Sequence, residues 1–215
     1  MKYGMMERLF WTVFKGGYKR ELENTLHIEN SGEIMKKAHK KYKEMIENVQ
    51  EFRPRNRFVS NIILASILGS VYISMDEKPS VEKMIIFNRE AVMNNKMMLK
   101  SVVSEKNYTK EGQKALADGA KQSKNDHNPY SWQYDFQVGK SLMEFTTYFK
   151  SCGICYLYKQ WGIPEITPAM CRLDYDIAHA NNTEFLREQT LFEGGEYCDC
   201  HYIHTPQSKA EIIKD

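Results

Sequence analysis

Residues 185–204 read FLREQTLFEGGEYCDCHYIH, and this stretch decides how the C-terminal part of the chain folds. Apolar and polar residues alternate on either side of Gly194-Gly195, as in two antiparallel strands joined by a tight turn. The pattern predicts a β-hairpin with strands over 185–193 and 196–204 and a two-residue glycine turn.

The predicted turn also sets the register between the two strands. Glu188 falls opposite His201, and Leu191 falls opposite Cys198. Because side chains alternate along a strand, one face of the hairpin then carries the reactive residues. This face consists of Arg187, Gln189, Leu191, Cys198, Cys200 and Tyr202.

Segments before the hairpin contribute further strands and helices. Alternation over 132–138 and the composition of 145–149 indicate two more strands. The segments 152–161 and 164–181 are typical of short helices. A polar, turn-rich stretch at 121–129 separates this region from the N-terminal part.

The N-terminal part is predicted to be helical. Segments with helical periodicity span about 30–50, 58–75, 81–103 and 109–122. Asn30 with Glu33 predicts a capping box, while Ser80 and Thr109 predict N-caps. The segment 58–75 lacks charged residues, but its serines favour a buried central helix over a membrane span.

These elements predict a single α+β domain over 1–215. A helical part, 1–125, would pack on a small, mostly antiparallel sheet in 130–205 that ends in the hairpin.

Charge and composition restrict the expected partners. The net charge is only +2, and the basic run 36–43 lies on an amphipathic helix without a nucleic-acid motif. We therefore expect neither a nucleic acid nor a membrane as partner, and the oligomeric state stays open. Residues 1–17 lack an export signal, so the five cysteines are expected to stay reduced in the cytoplasm.

Cys171 and Asp174 lie one turn apart in the predicted helix 164–181. Together with the hairpin they offer a thiol nucleophile, a carboxylate for proton transfer and a guanidinium that binds carboxylates. The expected catalytic residues are Cys198, Asp174, Asp199 and Cys171, and the expected substrate-binding residues are Arg187 and Thr190. Neither a metal nor a cofactor is expected.

Two assignments stay open at this point. Either Cys198 attacks as a thiolate whose pKa is lowered by Arg187, or Asp174 activates a water and the cysteines line the pocket. Asp199, opposite Thr190, is equally consistent with a structural pair that holds the hairpin.

The spacing of these residues resembles that of a known family. The pattern is Cys171-x-x-Asp174, Arg187-x-x-Thr190 and Gly194-Gly195-x-x-Cys198-Asp199. It resembles the L-2-amino-thiazoline-4-carboxylic acid hydrolase family over roughly residues 165–202. The resemblance implies hydrolytic opening of a 2-aminothiazoline ring to N-carbamoyl-cysteine. Cys200 stands where the family typically has an aromatic residue.

The leading functional prediction is therefore a small-molecule hydrolase that acts on a carboxylate-bearing cyclic amidine or a related C–N bond. One alternative is a non-catalytic domain that binds a small anion or acts as a sensor, with Arg187 holding the ligand. Another is a zinc-stabilised domain that combines the CxxC motif at 152–155 with Cys198, Cys200 and nearby histidines. A redox role for the CxxC is disfavoured, because no preceding strand of the thioredoxin type is evident.

Overall fold

Helices occupy most of the first 123 residues, and a four-stranded antiparallel sheet follows them. The computed structural model describes residues 1–102 and 104–206. The helices in this part are α1 Met5–Asn24, α2 Ser31–Asn48, α3 Val59–Ser74, α4 Val81–Met93, α5 Lys96–Val102, α6 Lys110–Ser123, α7 Gly153–Gln160, α8 Thr167–Cys171 and α9 Leu173–Ala180. The strands are β1 Tyr134–Val138, β2 Glu144–Phe149, β3 Thr183–Leu186 and β4 Cys198–His204. The predicted α+β fold class is confirmed.

Helix α3 lies at the centre of the core, as its uncharged sequence predicts. Nearly all of its side chains are buried. Its buried serine hydroxyls donate hydrogen bonds to carbonyls of their own helix, Ser66 to Ile62 at 2.8 Å and Ser70 to Ile67 at 2.7 Å. These internal bonds let an all-round apolar helix carry hydroxyl groups without leaving them unpaired.

No helix within residues 1–102 and 104–206 combines the length and the apolar character that crossing a membrane requires.

Two of the three predicted helix starts have the expected cap. The Ser80 hydroxyl accepts a hydrogen bond from the Lys83 amide, and the Thr109 hydroxyl accepts one from the Gly112 amide at 3.0 Å. The capping box predicted at Asn30 is wrong, although α2 begins at the next residue. The backbone of Asn30 (φ −86°, ψ 31°) is not extended, and an extended N-cap is what points the side chain at the first turn.

The helix predicted over 81–103 is divided into α4 and α5. Asn95 separates them, because its side-chain oxygen accepts hydrogen bonds from the amides of Met97 and Met98 at 3.0 and 3.1 Å. Asparagine competes with the helical backbone for hydrogen bonds, and here it starts a new helix instead. Val103, the predicted last residue, lies outside the described residues.

The sheet has the strand order β1-β2-β4-β3, and all pairs are antiparallel. Leu186 pairs with His201, whereas the predicted register gives Glu188 that position. The register is therefore wrong by two residues, but an even shift keeps the side chains of the paired residues in β3 and β4 on their predicted faces. The two-residue glycine turn is also wrong, since β3 ends at Leu186 and an eleven-residue loop, 187–197, leads to β4.

One large hydrophobic cluster connects the N-terminal helices with the C-terminal half. It contains residues of α1 to α4 and also Trp132, Tyr158 of α7 and Leu173 of α9. The face of the sheet with Phe185 and Cys200 packs against α9 through Ala178 and Tyr175. This packing places the end of the hairpin beside the junction of α8 and α9.

Candidate functional site

Arg187 connects the hairpin to the helices before it. The guanidinium donates one hydrogen bond from Nη1 to Asp174 Oδ2 at 2.9 Å and one from Nη2 to the Cys171 carbonyl at 2.8 Å. The predicted helix 164–181 is divided at Arg172, and this break places Cys171 and Asp174 on either side of the junction of α8 and α9. The expected association of Arg187, Asp174 and Cys171 is therefore present.

Aromatic rings cover the guanidinium of Arg187. Its Cζ lies 5.2 Å from the ring centroids of both Tyr175 and Phe185, within cation–π distance. The Arg187 side chain is only 5% exposed, and its Nε is buried without a hydrogen-bond partner. Phe185 and Arg187 are two residues apart, so strand alternation predicts that they share a face of the sheet. No pattern in the sequence predicts that Tyr175 of α9 covers Arg187 as well.

Asp174 is the member of the ion pair that reaches solvent. Its side chain is 48% exposed. Desolvation raises the pKa of the Asp174 carboxyl, and Arg187 opposes this increase. Because nearly half of the side chain contacts solvent, the increase is limited. The burial of Arg187 disfavours its charge, but Asp174 raises the pKa of the guanidinium, which therefore stays protonated.

The cysteines of β4 lie on the face that carries Arg187. Cys200 is 3% exposed, and Cys198 is partly exposed. Burial raises the pKa of Cys171, Cys198 and Cys200 above the ordinary value of 9.0. All three are therefore neutral thiols at pH 7 in the resting protein.

The environment of Cys198 contains opposing influences on its charge. Burial raises its pKa most, while the Leu191 amide, which donates a hydrogen bond to Sγ at 3.3 Å, and the charge of Arg187 lower it. Arg187 thus has the expected direction of effect, but the net shift is upward. A thiolate at Cys198 requires a proton acceptor, and Asp174 is close enough to influence the pKa of Cys198.

Asp199 and Thr190 form contacts within loop 187–197 and do not join the thiols. The Asp199 carboxylate accepts hydrogen bonds from the amides of Glu188 and Gln189, the latter at 2.9 Å. The Thr190 hydroxyl donates to the Glu193 carboxylate at 2.8 Å and accepts from the Glu193 amide at 3.1 Å. These bonds hold the loop whose Leu191 amide contacts Cys198.

Sequence reasoning missed one neighbour of the site. Cys152 is close enough to both Cys171 and Cys198 to influence their pKa values. The CxxC motif drew attention to Cys152 as a zinc ligand and as a disfavoured redox residue, but not as a neighbour of Cys171 and Cys198. In the described ranges, no three His, Cys, Asp or Glu side chains are arranged to hold a metal ion, so the zinc alternative has no ligand set there.

The candidate site lies outside the two best-formed clefts of the described surface. Two open clefts occur elsewhere on the described surface, one of about 570 Å³ between α6 and β1 and one of about 420 Å³ between α2 and the end of α3. The residues around Arg187 line neither of them. Access from solvent is provided by Asp174 and by the partly exposed Cys171 and Cys198.

The fold and the site together define an α+β protein whose C-terminal hairpin joins an arginine and thiols to an aspartate at a helix junction. A family model described as L-2-amino-thiazoline-4-carboxylic acid hydrolase matches residues 8–202, which is most of the chain. The chain belongs to this family, and the resemblance found in residues 165–202 is confirmed. A search of curated proteins finds no match.

Proposed function

We propose that this protein is a hydrolase that opens the ring of a 2-aminothiazoline carboxylate or a closely similar cyclic amidine. The family description supports hydrolysis of such a substrate. The observation that carries the proposal is the ion pair of buried Arg187 with solvent-reaching Asp174. The thiol of Cys198 packs in the same cluster as Tyr175 and Phe185, the two rings that cover Arg187.

Atom balance identifies the bond that breaks. N-carbamoyl-cysteine retains both nitrogens on the former amidine carbon and gains a free thiol. Water therefore supplies the carbonyl oxygen, the ring C–S bond breaks and the ring sulfur takes a proton. The sequence-based expectation of a broken C–N bond does not fit this balance, so we propose C–S cleavage instead.

Asp174 has two roles in this proposal. Its carboxylate binds the amidinium of the substrate through charge-assisted hydrogen bonds, and it accepts the proton of the nucleophile. A thiol is much more acidic than water. Cys198 is therefore the easier nucleophile for this carboxylate to activate.

Cys198 then attacks the amidine carbon, and the ring sulfur leaves as a thiol. Water hydrolyses the resulting isothiourea, in which the carbon is bonded to Cys198 Sγ and to both nitrogens, and this step releases the product and restores the Cys198 thiol. The Leu191 amide stabilises the Cys198 thiolate, because it already donates a hydrogen bond to Sγ. Asp199 and Thr190 are positioning residues, since they hold the loop that presents Leu191.

Arg187 is assigned a positioning role. Its terminal nitrogens already donate to Asp174 and to the Cys171 carbonyl, and the side chain is only 5% exposed, so little of the guanidinium is open to a substrate carboxylate. In this proposal Arg187 keeps Asp174 ionised and oriented, and Cys171 lines the site.

The neutral thiols favour one competing function. A protein that binds a small amidine or anion without turnover needs no thiolate, and burial raises the pKa of Cys198. In either function the partner is a small molecule. The five cysteines are free, as expected for a cytoplasmic protein, and we propose that compartment.

The test is incubation of the purified protein with L-2-aminothiazoline-4-carboxylate, with ring opening followed by mass spectrometry. We expect turnover by the wild type, and a loss of about 100-fold or more in Cys198→Ser with an unchanged melting temperature. Cys155→Ser, which alters another partly exposed thiol, is the matched control and should retain turnover. Acid quenching should trap an adduct on Cys198.

Each other outcome rejects a defined part of the proposal. Turnover in Cys198→Ser together with inactive Asp174→Asn would show that Asp174 activates water and would reject the thiol nucleophile. Saturable binding of the compound by calorimetry without ring opening would reject the hydrolase and support the binding protein.

A further inference from the structure

The CxxC motif lies at a junction of strand and helix. Strand β2 ends at Phe149, and α7 begins at Gly153 with Cys152 as its N-cap residue. From the sequence alone, no strand is evident before the motif, which argues against a redox role. The structure provides that strand, so the objection no longer applies.

The two cysteines of the motif are neighbours at the start of α7, where Cys152 is the N-cap residue and Cys155 lies in the first turn. Cys155 raises the pKa of the Cys152 thiol, and both cysteines are free and partly exposed. Residues three apart in the first turn of a helix have Cβ atoms about 5–6 Å apart. A disulfide requires about 3.5–4.5 Å, so a small movement of one turn would join the sulfurs.

The packing of α7 fixes this arrangement. A Cβ atom at Gly153 would overlap the Tyr130 carbonyl, so the first turn of α7 lies directly against the backbone of Tyr130. Later in α7, Leu157 and Tyr158 are fully buried, and the Tyr158 hydroxyl donates to the Ala65 carbonyl of α3 at 2.9 Å. These contacts anchor α7 in the core, and the anchored helix keeps Cys152 and Cys155 near each other at its start.

We propose that Cys152 and Cys155 form a reversible disulfide by exchange with low-molecular-weight disulfides. One thiolate of the pair attacks the external disulfide and releases one thiol, which leaves a mixed disulfide on the protein. The second cysteine displaces the other external thiol and closes the internal S–S bond. Two electrons and two protons pass to the external disulfide, which becomes two thiols.

The dithiol lies next to the candidate site without belonging to its proposed chemistry. Cys152 influences the pKa of both Cys171 and Cys198. Formation of the disulfide removes this neighbouring thiol and alters the surroundings of Cys198. The exchange itself does not depend on the proposed hydrolysis.

The test is equilibration of the full chain in mixtures of reduced and oxidised glutathione, followed by acid trapping, alkylation and peptide mass mapping. We expect the wild type to lose two hydrogens at an intermediate glutathione ratio, with the disulfide located between Cys152 and Cys155. Cys155→Ser should instead accumulate a glutathione adduct on Cys152, because the resolving thiol is absent. Cys200→Ala is the control, since Cys200 is buried, and it should keep the internal disulfide.

Three results would overturn the proposal. The first is that all five thiols stay alkylatable at every ratio. The second is that a disulfide forms with Cys171 or Cys198 in place of the CxxC pair. The third is that oxidation occurs only together with unfolding, as judged by far-UV circular dichroism on the same samples.

Discussion

Arg187 lies at the centre of the candidate site and contacts several of its parts. It joins the hairpin to Asp174 and to the Cys171 carbonyl, and it lies between two aromatic rings. A buried guanidinium requires such compensation, because an unpaired charge in the interior is strongly disfavoured. The residue therefore fixes the distance between the hairpin and the helix junction.

The pH dependence of Cys198 reactivity follows from its surroundings. Burial raises its pKa above 9.0, so alkylation should be slow at pH 7 and should still be rising at pH 9. The charge of Asp174 also raises this pKa, whereas that of Arg187 lowers it. Asp174→Asn should therefore lower the pKa of Cys198 and speed its alkylation at a fixed pH.

Alkylation rates of Cys198 measured by peptide mass spectrometry between pH 6 and pH 10 would check this prediction. Asp176→Asn is the matched control, because Asp176 lies in the same helix but pairs with Arg89 at 3.2 Å. A Cys198 rate that reaches its plateau below pH 8, or an equal response to both substitutions, would contradict the argument.

At the scale of elements, local patterns predicted the existence of the strands better than their connections. Alternation identified β4 and placed Cys198 and Cys200 on the inner face, where they lie. The strand predicted over 185–193 shares only residues 185 and 186 with β3. The glycine pair suggested a tight turn, but the chain closes a long loop instead. The reason is that the Asp199 carboxylate binds two amides of that loop, a contact between residues eleven apart that no local pattern contains.

The same limit applies to the candidate site. The association of Asp174 with Arg187 was predictable from residue types and from spacing that resembles the family. The closeness of Cys152 to Cys198 was not, because it depends on how α7 packs after β2. The charge of Arg187 was predictable from its residue type. The burial of the three thiols was not, and this burial raises their pKa values more than the charge of Arg187 lowers them.

Loop 187–197 should depend on Asp199. Asp199→Ala removes the acceptor for the amides of Glu188 and Gln189, so hydrogen exchange at these amides should become faster. The free energy of unfolding should fall by about 1 kcal/mol, since the bonds are largely exposed. Asp199→Asn retains an acceptor oxygen and should lie between the wild type and alanine. Unchanged exchange in Asp199→Ala would show that backbone contacts alone hold the loop.

At the scale of the whole molecule, the core does not divide at the polar stretch 121–129. The large hydrophobic cluster includes Trp11 of α1, Trp132 before β1 and Leu173 of α9. Hydrogen bonds also cross this stretch, for example from Asn88 to the Ala169 carbonyl at 2.8 Å. The helical part and the sheet therefore depend on shared contacts.

The prediction of a single domain can be tested by equilibrium unfolding in urea. One shared core should give one cooperative transition, with the same midpoint by far-UV circular dichroism and by tryptophan fluorescence. Circular dichroism reports mainly on the helices, whereas the fluorescence reports on Trp11 in α1 and on Trp132 and Trp161 in the C-terminal part. Two separated midpoints would show that 1–125 and 130–205 unfold independently.

The burial of α3 has a consequence for the chain while it is being synthesised. Gly69 of α3 packs against Tyr158 and Ile163, which leave the ribosome about ninety residues later. Until then, a helix without a single charge keeps one flank uncovered on the nascent polypeptide. This helix is therefore a segment that chaperones specific for apolar sequences can bind before the C-terminal half of the chain covers it.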